Sequence, residues 1–392
     1  MSFAIRWCVV REIFALATSL VLGCGRVDFD AHGDGGVAPG CIAQLSAYGD
    51  MVCVLRTDAS VWCWGSNSEG QLGDGSLVSR KLPGPSLVTD AIEIATGEDT
   101  GCAVLGDRSL VCWGEGSAGQ LGDGGGVDRA VPTAVPLPAG VTQVRVSETH
   151  ACARLDDGTG RCWGDNQFGA LGKTPPPSTE LSPISAPVGG VAAVTLGDYF
   201  SCVLRADASA ACFGRNLAGE LGDGTTLSRS NPVAVAIPEP IVQIAAGCDH
   251  HACAVTELGS VYCWGDNTYG QIGTGATTPR EPMPVRVVGV SDVVQVSVGA
   301  FHSCARTRDG EIWCWGVNDR GQLGDGSLAD RSLPVRVTSF VGTPADLQTT
   351  CAGSYVVLAD RTLVAWGAAT LLGTSESVDQ VAPIEVPIPC PP

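Results

Sequence analysis

Cys304-Ala305-Arg306-Thr307-Arg308-Asp309-Gly310-Glu311-Ile312-Trp313-Cys314-Trp315-Gly316 is one of seven related segments in a chain of 392 residues. The first cysteine of the segment falls at Cys53, Cys102, Cys152, Cys202, Cys253 and Cys304, and Tyr355 replaces it in the seventh. Successive steps are 49, 50, 50, 51, 51 and 51 residues. A fixed period near fifty is one supersecondary unit repeated into a single body. Six units carry two cysteines at one spacing: Cys53 with Cys63, Cys102 with Cys112, Cys152 with Cys162, Cys202 with Cys212, Cys253 with Cys263 and Cys304 with Cys314. Zinc knuckles need much shorter Cys-Cys spacings, so a metal framework is excluded here. A hairpin explains the spacing. If two strands turn through Arg308-Asp309-Gly310, Cys304 and Cys314 stand directly opposite, at the separation a disulfide needs. Three-residue hairpin loops end in a left-handed residue, and Gly158, Gly259 and Gly310 hold that place in three units. Ala59, Arg108 and Ala208 hold it in the others.

Around this hairpin the apolar alternation continues in Ile92-Glu93-Ile94 and from Val131 to Val135, giving four short strands per unit. The composition agrees: 52 glycines, 24 prolines and only 16% charged residues suit short strands and tight turns. Seven four-stranded units imply an all-β, seven-bladed β-propeller with terminal strand closure. Pro383 to Pro389 resembles Pro232 to Pro238, and Ile42-Ala43-Gln44-Leu45 resembles Ile241-Val242-Gln243-Ile244. Cys390 and Cys41 therefore sit where Glu239 and Pro240 are consecutive in an intact repeat. The last and first strands are expected to share one unit, closed through a Cys41–Cys390 disulfide. Cys248 and Cys351 lie near one repeat position two units apart, and either pair across the ring or stay free.

Residues 1–23 read as a signal peptide. Arg6 and Arg11 precede an apolar stretch from Ile13 to Leu22 that is too short for a spanning helix. Val21-Leu22-Gly23-Cys24 resembles the lipobox of bacterial lipoproteins, which implies cleavage before Cys24, its lipidation and an outer-membrane location. Membrane contact is then through the lipid anchor alone. Residues 24–40 are glycine-rich and polar, a flexible tether, and residues 41–392 form the propeller. An exported chain with 18 cysteines is expected to be disulfide-bonded. A net charge of −18 without a basic run excludes nucleic acid as a partner.

Cys314-Trp315-Gly316-Val317-Asn318-Asp319-Arg320-Gly321-Gln322-Leu323-Gly324-Asp325-Gly326 resembles the signature of the regulator of chromosome condensation repeat family. Six units match it well. The seventh, Trp366-Gly367 to Leu372-Gly373, is shortened and lacks the Asn and middle Gly. The resemblance implies the seven-bladed fold but no single activity. The family includes a nucleotide exchange factor for a nuclear GTPase, a plant UV-B photoreceptor and a secreted inhibitor of β-lactamases. Exchange activity fits poorly with export. The tryptophans recur at one offset (Trp64, Trp113, Trp163, Trp264, Trp315, Trp366, with Phe213 substituting), which assigns them to blade packing.

No nucleophile elbow, phosphate loop or zinc helix appears, so no catalytic residue, cofactor or metal is expected. His150, His251 and His302 share one offset, two residues before the hairpin cysteine, and read as turn residues. Asp74, Asp123, Asp223 and Asp325 in Gly-Asp-Gly lack the ligand count for calcium and read as turn stabilisers. Function belongs to positions where the blades disagree. Two free positions per signature include Glu69, Phe168, Tyr269, Asp319 and Arg320. The turn before each hairpin forms a second variable ring, with Tyr199, Phe200 and Phe301. Exposed aromatics on rigid loops are binding anchors. The expectation is a monomeric, non-enzymatic scaffold presenting these loops to a protein or glycan at the cell surface. Its rivals are a secreted-enzyme inhibitor and a hydrolase or lyase using the central funnel. Convergent carboxylates around the funnel favour the enzyme, and an aromatic-rimmed acidic face favours the binder.

Overall fold

In the computed structural model, residues 40–138, 140–174, 178–187 and 189–391 are described. The expected signal peptide, Cys24 and nearly all of the tether lie outside them. Seven four-stranded antiparallel sheets, each formed by consecutive strands, make an all-β seven-bladed propeller. Blade 6 is representative: Val293–Val298 is the inner strand, followed outward by His302–Thr307, Ile312–Gly316 and Arg331–Arg336. Second and third strands are almost wholly buried between blades, while outer strands are half exposed.

The hairpin register is as the sequence requires. Cys53 stands opposite Cys63, Cys102 opposite Cys112 and Cys152 opposite Cys162. Cys202 stands opposite Cys212, Cys253 opposite Cys263 and Cys304 opposite Cys314. All six pairs are disulfides with Cα atoms 4.1 Å apart. Every one of these cysteines is buried in its blade, Cys63, Cys112, Cys212 and Cys263 fully and Cys162 at 3% exposure. The bridges are therefore parts of the scaffold, sealed from any partner. The loop residue is left-handed in every unit, including Ala59 (φ 64°), Arg108 (φ 66°) and Ala208 (φ 63°). In blade 7, Tyr355 faces Ala365, and the Leu371 carbonyl accepts its phenol proton at 2.6 Å.

Blades are joined by a repeated set of bonds. The indole N–H of Trp113 donates to the Gln71 carbonyl of the blade before it. Trp163, Trp264, Trp315 and Trp366 do likewise, and Trp64 reaches back to Leu371. Gly324 must be a glycine, since a Cβ there would lie 2.8 Å from the Trp366 indole. Near the axis, glutamine amides replace sheet pairing: Gln44 bonds both N–H and C=O of Ile94, and Gln243 does the same to Val296. The aspartates of Gly-Asp-Gly cap their turns and pair with an arginine of the outer strand, as Asp325 does with Ser327 and Arg331.

Two expectations are corrected. Cys41–Cys390 is a disulfide, but its flanking strands do not share a sheet. Gln380–Val386 completes blade 7 and Ile42–Tyr48 opens blade 1. The repeat seen in sequence runs across the link between blades, so its period does not reveal where a sheet begins. The histidines are not turn residues either. His150, His251 and His302 start second strands, fully buried, and their Nε2 atoms lie 2.8–3.1 Å from Ser201, Ser303 and Ser354 of the next blade. Burial holds their pKa values down, to about 4, 3 and 4, so all three are neutral bridges between blades.

Candidate functional site

A propeller has two faces, and strand direction separates them here. The turns between inner and second strands share one face with the signature loops. The hairpin loops and the links between blades share the other. One residue from each inner turn faces the axis: Gly49, Glu98, Glu148, Asp198, Cys248, Ala300 and Cys351. Each stands four residues before its hairpin position, except Cys248, displaced by the extra His250. The turn positions singled out from sequence are those immediately following, so the sequence reading misses this ring by one residue. The offset one place earlier carries three carboxylates and both unpaired cysteines of the described residues.

The mouth of the ring is acidic and tightly filled. The Tyr48 phenol donates to Asp198 Oδ1 at 2.7 Å and packs against Cys248 and Ala300. Burial, with Glu148, Asp249 and Glu98 nearby, pushes Asp198 up to about 9, even though Tyr48 bonds to it. Burial and the charges of Asp50, Asp99 and Glu148 push Glu98 up to about 7. Cys351 donates its thiol proton to Glu98 Oε2 at 3.8 Å. The arginine and lysine ion pairs among the described residues involve other carboxylates. The mouth is therefore a cluster of carboxyl groups held toward the protonated form, Asp198 above all, with Arg215 at its border.

Aromatic residues border it. Phe168, on the blade 3 signature loop, meets Tyr199 of the blade 4 turn edge to face, with centroids 5.6 Å apart. Tyr269 meets Phe301 in the same way at 5.3 Å, two blades further round. Each pair joins a signature loop to the next inner turn, which brings together residues singled out separately in the sequence. Arg215 lies 6.0 Å above the Tyr199 ring and donates to His250 at 2.8 Å. Tyr269 is 44% exposed, a large apolar group left to solvent. Phe200 is a correction: it is 1% exposed, because it occupies the second-strand offset that histidine holds in blades 3, 5 and 6. Asp319 and Arg320 are exposed, and Arg320 pairs with Asp379 at 3.4 Å. Glu69 sits half-buried in blade 1, its backbone N–H donating to Gln71. Asp319 and Arg320 lie on the signature loop of blade 6 and Glu69 on that of blade 1, and none of the three belongs to an aromatic pair.

A family model described as the regulator of chromosome condensation (RCC1) repeat matches residues 58–104, 109–154, 212–254, 259–306 and 309–359. A second model of the same description matches 42–71, 141–170, 241–271 and 293–322. The ultraviolet-B receptor UVR8 of Arabidopsis thaliana is 42% identical over 103 residues, 26% of this chain and 23% of that protein. The probable E3 ubiquitin-protein ligase HERC6 of Homo sapiens is 32% identical over 142 residues, 33% of this chain and 14% of that protein. The matched segments thus span less than a quarter of either relative. Among solved structures, Prp20p of Saccharomyces cerevisiae superposes with a TM-score of 0.75 at 19% identity, over 89% of this chain and 88% of that one. Human WBSCR16 gives 0.70 at 22% identity, over 79% and 85%. At these identities the likeness is one of fold.

Proposed function

The chain belongs to the regulator of chromosome condensation (RCC1) repeat family, and from that premise we propose that it is a non-catalytic binding scaffold. Its working surface is the acidic mouth with its two aromatic pairs, and its partner is a protein that presents a basic segment. The observation that carries this reading is the flanking of a cluster of carboxyl groups by Phe168–Tyr199 and Tyr269–Phe301. Paired rings give rigid apolar contact at low entropic cost, and the carboxylates attract cationic side chains. The solved Prp20p structure is described together with that protein's binding to Gsp1p and histones, which fits a binding role for the fold.

The hydrolase reading rests on the same carboxylates but needs an open cleft beside them. Tyr48, Cys248 and Ala300 pack the mouth instead. A cavity of about 530 Å3 lies on the other face, between Gly289–Asp292 and the Thr307–Glu311 hairpin.

Anchoring at Cys24, in the outer membrane of a bacterial envelope, is part of the proposal. The Gly40 N–H donates to Asp360 in the blade 7 hairpin, so the chain enters the propeller on the hairpin face. A tether on that side would turn the aromatic face away from the bilayer. Metabolic labelling with an alkyne fatty acid tests the anchor: label should attach to the wild type and vanish in Cys24→Ala.

Photocrosslinking on intact cells tests the binding face. A photoreactive residue at position 269 should capture a discrete partner, and Phe168→Ala or raised salt should weaken the capture. The same probe at Leu258, on the hairpin face and 74% exposed, should not capture it. Equal labelling from both faces overturns the assignment.

A further inference from the structure

Cys248 and Cys351 are the free cysteines among the described residues. They come from blades 5 and 7, and Glu98 comes from blade 2, yet the three side chains meet. One ligand atom from each lies within 4.8 Å of the other two. The intervening blades make this contact sterically open. Between blades 5 and 7 the equivalent residue is Ala300, and between blades 7 and 2 it is Gly49. A Cβ on Gly49 would stand 2.3 Å from Glu98 Oε2, so the glycine (φ 54°) is what lets the carboxylate reach the thiols.

Carboxyl groups crowd this cluster. Asp50, Asp99, Glu148 and Asp198 all act on this cluster electrostatically. The ion pairs made by lysine and arginine lie elsewhere among the described residues. Two soft sulfur ligands and one carboxylate suit a thiophilic d10 cation rather than calcium or magnesium, which take oxygen ligands throughout. Three protein ligands leave one tetrahedral position open, the pattern of zinc sites that accept a further ligand.

We propose that Glu98, Cys248 and Cys351 form a binding site for a zinc-class cation at the mouth of the propeller. The cysteines bind as thiolates, so their two protons leave to solvent as the ion enters. No oxidation is involved. This site does not rest on the partner-binding reading, and the two fail independently. Loss of the metal site leaves crosslinking from position 269 intact, and loss of the crosslink leaves the metal data untouched.

The test uses the full chain, isolated without reductant so that the seven disulfides among the described residues persist. Zn2+ should bind at one equivalent in competition with a chromophoric chelator. Co2+ should give the intense sulfur-to-metal charge-transfer band of a tetrahedral thiolate site. Cys248→Ser and Cys351→Ser should each weaken Zn2+ by more than the roughly 10–100-fold that loss of an outer-shell partner costs, and each should diminish the band. Glu98→Gln should weaken binding while keeping the band, since both sulfurs remain. Gly49→Ala should act like Glu98→Gln with both thiols still titratable. Near-UV circular dichroism and a peptide map showing the Cys41–Cys390 bridge establish that each variant is folded. Absence of the charge-transfer band in folded protein with two free thiols overturns the proposal. So does a Cys248–Cys351 disulfide in protein produced with Zn2+ in the medium.

Discussion

Phe213 stands where six blades carry tryptophan, and it cannot donate a hydrogen bond. Where blade 4 meets blade 3, the Ala170 carbonyl is served instead by the Ser201 hydroxyl at 2.7 Å. Where blade 6 meets blade 5, the equivalent carbonyl of Gln271 has two donors, Trp315 and Ser303. Ser201→Ala therefore strands a buried carbonyl, whereas Ser303→Ala does not. Leaving a buried acceptor unsatisfied costs about 1–3 kcal/mol. Chemical denaturation should show Ser201→Ala to be less stable than Ser303→Ala by roughly that margin. Equal losses would mean that the carbonyl finds another donor. The histidine bridges give a second residue-scale test. Burial lowers the His302 pKa to about 4, against an unfolded value near 6.5. The folded state thus binds fewer protons between those limits. Its stability is complete above the unfolded value and is lost as pH falls toward 4. Glutamine can keep the Nε donor to Ser354 but does not titrate. His302→Gln should cost stability at pH 7, and its deficit should shrink by about 2 kcal/mol by pH 5. Parallel unfolding free energies of the two proteins across that range would contradict a neutral buried imidazole.

At the scale of the hairpin, the local code is fully legible. Cysteine spacing sets the opposed pair, and the left-handed loop residue can be located even where it is Ala59, Arg108 or Ala208. These features depend on residues within one turn of chain, so a sequence displays them. Each bridge closes a loop of about eleven residues, which by loop entropy is worth about 3 kcal/mol. Replacing Cys304 and Cys314 by alanine together should lower stability by that order in a guanidinium titration, and a negligible change would assign the hairpin's stability to its packing alone. The inner turns are less legible. Glu98, Cys248 and Cys351 are neighbours because blades 2, 5 and 7 converge on one axis, a property of ring closure rather than of any segment. The aromatic pairs fall between these cases. Phe168 and Tyr199 are each visible as departures from the repeat, but their contact spans two blades. Phe200 shows the opposite limit: beside an exposed aromatic it reads as a second anchor, although its offset matches the buried histidines.

The whole molecule repeats its inter-blade contacts around the circle, and the junction between blades 7 and 1 is made by the same kinds of bond as the rest. Trp64 bonds Leu371 and Ile42 bonds Arg361, just as Trp113 bonds Gln71 and Ala91 bonds Ala59. Only the peptide link is missing there, and Cys41–Cys390 supplies a covalent one across 349 positions. Because the loop it closes is so long, its entropic contribution is about 6 kcal/mol, more than any hairpin bridge. Cys41→Ser with Cys390→Ser should therefore destabilise the protein more than loss of the Cys304–Cys314 pair, and the reverse order would show that junction packing already holds the ring. The same bond turns residues 41–390 into a covalent circle, and a circle responds to proteolysis unlike a thread. One cut in an exposed link such as Val288-Gly289 opens the loop but frees nothing. A cut inside the Cys304–Cys314 hairpin is spanned by its own bridge. Nicked molecules should run as single species until a reductant is added and only then fall into fragments. A protein built this way keeps all seven blades covalently joined after a single cut.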